Sequence, residues 1–171
     1  MKKTFRLALV LAAFVPMLAA AQTASTAFQV GATVAKKCSV ISPGATTLNF
    51  GAYDPAGAAL TASLAINFHC TKGTTWSVTL DAGQNAGLGL SGSRAMAGGG
   101  DHLGYELYTD TTYAAGKVWA GNTTGGAGTF MTGAGTGGNT TDQVTVYGQL
   151  LAGQYVAPAT YTDTVNFVVN Y

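Results

Sequence analysis

Apolar and polar residues alternate along much of this chain. Leu60, Ala62, Leu64, Ile66, Phe68 and Cys70 hold six consecutive even positions, with Thr61, Ser63, Asn67 and His69 between them. A period of two sends successive side chains to opposite faces, so the stretch predicts a strand over 60–70 with one face in a core. Trp76, Val78 and Leu80 continue the pattern after a Lys72-Gly73 turn, and Leu103, Tyr105 and Leu107, then Val144 and Val146, predict two more strands. In the last eleven residues Tyr161, Val165, Phe167, Val169 and Tyr171 take odd positions against Thr162, Thr164, Asn166 and Asn170. The chain is therefore expected to stop inside a strand, and the outer edge of that strand must be covered by something else.

Nearer the start, Phe28, Val30, Ala32 and Val34 alternate with Gln29, Gly31 and Thr33, predicting a first strand that leads to Cys38, and Thr47 to Gly51 reads as a short second element. No window past the N-terminal segment shows helical periodicity with caps. About seven short strands separated by Gly, Asn and Thr turns predict an all-β sandwich. Seventeen of the 24 glycines fall between Gly83 and Gly138, so the middle should be rich in loops. Neither an internal repeat nor a linker divides the chain.

Lys2, Lys3 and Arg6 precede the apolar run from Leu7 to Leu18, which closes on Ala19, Ala20 and Ala21. This is the pattern of a secretory signal peptide over 1–21 with an A-x-A cleavage site, shorter than the roughly 20 apolar residues of a membrane span. Cleavage would leave 171 − 21 = 150 residues, one domain over 22–171. Three of the eight basic residues lie in that leader, so the remainder carries 8 − 3 = 5 against seven acidic residues, a formal charge of −2. Such a balance argues against nucleic acid or an anionic membrane as partner. Only 9% of the chain is charged while 47% is hydrophobic, a composition of an uncharged extracellular β protein and not of a disordered one.

The two cysteines, Cys38 and Cys70, are expected to pair in an oxidising compartment. A metal pair is poorly supported, because CxxC spacing is absent and His69 should point to the other face of the strand from Cys70. Gly87 to Gly92 matches GxGxxG but opens no helix, and reads as a turn. Gly125 to Phe130 imitates a calcium-binding nonapeptide, with Phe130 where an aspartate ligand belongs. Asp101, Glu106 and Asp110 are expected to be solvated, and His102 has no nucleophile in a recognisable context. Trp76 is in phase with the core; Trp119 and Tyr113 are open to a second use as a sugar-stacking surface. Asn122 and Asn139 begin formal glycosylation sequons. No residue set emerges for catalysis, a cofactor or a metal, and the chain is read as a non-enzyme.

Taken in order, these residues resemble a known family. Phe28, Val30, Ala32 and Val34 before Cys38, then Asn49-Phe50-Gly51-Ala52-Tyr53-Asp54, Cys70-Thr71, Arg94 with Met96, Leu103 with Tyr105, Leu107, Tyr108 and Asp110, and Tyr161 with Asp163 and Val165, are similar to the spore coat protein U domain. That family includes the pilins of archaic chaperone-usher systems.

The resemblance implies an incomplete immunoglobulin-like β-sandwich that lacks its last strand. A periplasmic chaperone would lend that strand, and an outer-membrane usher would exchange it for the N-terminal segment of the next identical or related subunit. On this reading residues 22–34 are the donor segment, with Phe28, Val30, Ala32 and Val34 inserting into a neighbour. Tyr161, Val165, Phe167, Val169 and Tyr171 form the strand beside the groove that pairs with the chaperone. The implied role is a structural subunit of a surface pilus, exported through the periplasm, serving adhesion and biofilm formation. Two alternatives stay open: a coat protein of the same fold, and a secreted carbohydrate-binding sandwich using Trp119 and Tyr113. The N-terminal segment could also pair only within its own domain.

Overall fold

The computed structural model describes residues 22–41, 47–89, 94–119, 131–138 and 140–171. The expected leader over 1–21, Asn122, Asn139, the Gly125 to Phe130 stretch and the end of the Gly87 to Gly92 motif lie outside the described residues. The chain divides into two compact units, Met1–Thr33 and Val34–Tyr171. In the first, residues 22–33 form neither helix nor strand, and Phe28 and Val30 are 84% and 86% exposed. The strand expected over 28–34 is therefore not formed in the single chain. An alternating segment becomes a strand only when a neighbour accepts its backbone hydrogen bonds.

Among the described residues the second unit forms eight strands: β1 (Cys38–Val40), β2 (Leu60–Cys70), β3 (Thr75–Leu80), β4 (Arg94–Gly98), β5 (Asp101–Tyr108), β6 (Met131–Ala134), β7 (Asp142–Leu150) and β8 (Phe167–Asn170). They build two sheets, β1-β2-β7-β5-β4 and β6-β3-β8, with every pairing antiparallel. The only helix among the described residues is one 3-10 turn at Ala115–Lys117. β2 keeps the bounds its alternation predicts. β4 and β6 carry mostly Ala, Gly, Met and Thr, too weak a pattern to be foreseen. Residues 47–51 form no strand, and only Phe167–Asn170 of the last eleven residues pairs continuously with β3, with a lone bridge from Thr162 to Ala97.

Phe68, Val78, Val144, Leu150 and Trp119 are at most 1% exposed and lie in the core cluster. Cys38 faces Cys70 across the β1–β2 pair and the two are disulfide-bonded with Cα atoms 4.1 Å apart. Closing a loop of 32 residues contributes about 3 to 4 kcal/mol in the chain-entropy account. Trp76 packs edge-on against Phe68 with ring centroids 5.0 Å apart.

Two expectations change. Trp119 is fully buried and its indole N–H donates to the Tyr108 carbonyl at 2.8 Å, while Tyr113 packs edge-on against Tyr108. The indole face needed for sugar stacking is thus consumed by the core. Glu106, expected in solvent, is 7% exposed and accepts from Arg94 at 2.6 Å. Alternation suggested a polar outer face for β5, but residues 103–108 are buried on both faces, so the period no longer tells inside from outside. Asp101 is exposed, as expected of it, and so is His102.

Candidate functional site

The inward face of β2 shows where the sandwich is incomplete. Phe68 and Cys70, near one end of the strand, are buried at 0% and 5% exposure. Leu60, Ala62, Leu64 and Ile66 point to the same side yet remain only half-buried. A complete sandwich would cover them with side chains from the facing sheet. Leu64 and Ile66 look into a groove of about 880 Å³ whose floor also includes Val146, Leu103 and Leu107.

Two walls flank this floor. One is the irregular stretch Thr47 to Tyr53, with Leu48 and Phe50 packed against the core. Gly148 of β7 makes room for it: a Cβ there would lie 2.8 Å from the Phe50 ring and 2.9 Å from Leu48. The other wall is Tyr161, Thr162, Asp163, Val165 and Phe167, the approach to β8 and its first residue. In the three-stranded sheet β8 pairs with β3 alone among the described residues, so its other edge offers backbone N–H and C=O groups to an incoming strand.

Two aspartates hold the β8 wall in place. The Tyr105 hydroxyl of the larger sheet donates to Asp163 Oδ2 at 2.7 Å, and Asp163 Oδ1 accepts the Gln84 N–H at 2.9 Å. Burial, reinforced by this bond and the carboxylate charge, pushes the Tyr105 phenol well above its ordinary pKa. Asp81 Oδ1 accepts the N–H groups of Asn166, at 2.9 Å, and Gly83, at 3.0 Å. Burial works against the Asp81 carboxylate, but bonds from the Asn166 backbone and side chain and from Gly83 outweigh it and hold its pKa below the usual value. At the same end of the groove, Gln154 brackets the Gly104 backbone at 2.6 and 2.8 Å, and the Tyr53 hydroxyl donates to the Leu151 carbonyl at 3.0 Å.

Of the residues the sequence singles out beside the groove, Tyr161, Val165 and Phe167 line it. Val169 pairs with Val78 and packs on the core, while Tyr171 lies past β8 and is 60% exposed. Phe28, Val30, Ala32 and Val34 are exposed. Sequence reasoning missed the opposite wall at Leu48 and Phe50 and the Tyr105–Asp163 bond, because both depend on contacts between residues 58 to 100 positions apart. The geometry offers apolar surface and a strand edge. Among the described residues no group of three or more His, Cys, Asp or Glu could hold a metal ion.

Two antiparallel sheets with an apolar groove open between them, and at its rim a strand with one edge unpaired among the described residues, define an all-β sandwich resembling a chaperone-usher pilus subunit. The fold is similar to the CsuC–CsuE chaperone–tip adhesion subunit pre-assembly complex of archaic chaperone-usher Csu pili from Acinetobacter baumannii, with a TM-score of 0.54 and 22% identity. That match takes in 81% of this chain and 40% of the solved one. The chain belongs to the Spore Coat Protein U domain family, which matches residues 24–167. Protein U of Myxococcus xanthus is 35% identical over 174 residues, covering 94% of this chain and 91% of that protein.

Proposed function

We propose that this chain is a non-enzymatic structural subunit of a surface pilus of the archaic chaperone-usher type, and that its groove accepts a strand from another chain. A periplasmic chaperone fills the groove first. At an outer-membrane usher the N-terminal segment of the next subunit replaces it, and the resulting polymer serves adhesion and biofilm formation outside the cell. The observation that carries this reading is the groove into which the half-buried Leu64 and Ile66 of β2 face, rimmed in the other sheet by the edge of β8 left unpaired among the described residues. Residues 47–53 line one side of the groove and residues of the 156–167 stretch the other. Phe28 to Val34 presents four apolar side chains on one face to fill such a groove. The family name and the relative called Protein U favour a second setting, a cell or spore coat, for the same mode of assembly.

The test is to append a copy of residues 24–34 to the C-terminus through a short flexible linker. A tethered strand reaches the groove at an effective concentration near millimolar, so the extended chain should be a soluble monomer with a markedly higher Tm. The unmodified mature chain should aggregate or polymerise. A mature chain that is already monomeric, and gains no thermal stability from the added strand, would overturn the proposal.

A further inference from the structure

Several charged side chains of the second unit lie at its two ends. Lys36 and Lys37 precede β1 and Lys72 follows β2, all three exposed at the end marked by the Cys38–Cys70 pair. The carboxylate at this end, Asp142, is buried and accepts N–H groups from Cys70 and Thr136, each at 3.1 Å. At the other end, where Leu60 pairs with Leu150, lie Asp54, Asp101 and Asp163. Asp54 adjoins Pro55, whose carbonyl accepts the Gly153 N–H at 3.2 Å, and Asp101 accepts the Ala157 N–H at 2.8 Å. The other cations face carboxylates of their own: Lys117 lies 3.4 Å from Asp110, and Arg94 bonds Glu106.

Ten residue steps separate Leu60 from Cys70, about 33 Å at the rise of a strand. That is several Debye lengths at physiological salt, so the basic and acidic ends of one copy do not neutralise one another. A second copy placed end to end satisfies both. The acidic end is moreover a mouth of the groove, since Tyr53, Pro55, Ala157 and Asp163 line it.

We propose that Lys36 and Lys37 of one copy dock on Asp54, Asp101 and Asp163 of the next, so that charge steers end-to-end joining and selects the direction in which the strand enters. This rests on the strand-accepting reading above. β3 begins just after the Thr71–Thr74 turn at the basic end, and β8 runs antiparallel to it, from Phe167 opposite Leu80 to Asn170 opposite Ser77. A segment 28–34 lying antiparallel to β8 leaves the groove at the acidic mouth, with Lys36 and Lys37 only two and three residues beyond Val34. Entry in the opposite sense sets those lysines against Lys36, Lys37 and Lys72 of the neighbour. Charges at the rim of an interface act mainly on the association rate and its salt dependence, and exposed pairs add little to affinity.

Polymer growth of the mature chain after dilution from denaturant, followed by light scattering at low and high ionic strength, tests this. Lys36→Glu with Lys37→Glu, and separately Asp54→Asn with Asp101→Asn, should each slow growth by about tenfold at low ionic strength. Asparagine keeps the side-chain oxygen that accepts from Ala56 and Ala157, so the acidic-end variant loses charge and not the local fold. High salt should erase both defects, and the combined variant should grow no more slowly than the lysine variant alone. Wild-type growth of the lysine variant at low ionic strength, or two defects that multiply, would overturn the proposal. No polymer from the wild-type chain, or full polymer from Phe28→Asp, would overturn the strand-accepting reading itself and this inference with it.

Discussion

Replacing Phe28 by aspartate separates a side chain that works between subunits from one that holds a subunit together. In the single chain Phe28 is 84% exposed, so Phe28→Asp should shift the unfolding free energy of an isolated subunit by no more than about 0.5 kcal/mol. Inserted in a neighbour's groove, the ring would contribute about 1.5 to 3 kcal/mol of apolar burial. Losing that weakens each junction roughly 10- to 150-fold, and desolvating a carboxylate weakens it further. Phe68, fully buried and packed on Trp76, provides the opposite case: Phe68→Ala should cost about 3 to 5 kcal/mol of subunit stability. Gln29→Asp, one position out of phase, should be mild in both respects. The measurements are Tm of the chaperone-free subunit carrying the appended strand and the yield of polymer from the native-length variants. Equal polymer loss for Phe28→Asp and Gln29→Asp would refute the register argument, and a Tm drop for Phe28→Asp as large as that for Phe68→Ala would show that the ring belongs to the fold.

Cys70→Ala should lower stability by about 3 to 4 kcal/mol, because the bridge to Cys38 closes a loop of 32 residues; urea unfolding with and without reductant checks it. Glu106→Ala takes from the buried Arg94 guanidinium the carboxylate 2.6 Å away and should cost about 3 to 5 kcal/mol, whereas Arg94→Met with Glu106→Leu should recover most of the loss. Burial raises the Glu106 pKa against the opposing pull of the Leu107 N–H and Arg94, so the native state holds that proton more tightly than the unfolded chain. This group's contribution to stability therefore falls as pH rises from the ordinary glutamate range through the raised native value, and a stability–pH profile of Glu106→Gln should be flatter there.

The sequence by itself determined what is local or periodic. The alternation over 60–70 fixed β2 and its inward face, because a period of two leaves one set of side chains for the core whatever the partners are. In the last eleven residues the odd positions are likewise half-buried and the even ones exposed up to Asn170. The cysteine count pointed to a bond that the β1–β2 register makes geometrically direct. Tertiary structure decided everything that depends on what lies above a strand. Glu106 had the phase of a solvent-facing residue and is instead buried beside Arg94, since β5 is covered on both faces. Trp119 was free to be a surface platform until the fold laid it under the Tyr108 carbonyl. Phe28, Val30 and Val34 alternate as well as any strand in the chain, yet they stand exposed. Alternation specifies a face that seeks cover, while backbone hydrogen bonds require a second strand, and only the arrangement of the sheets shows whether the same chain supplies one.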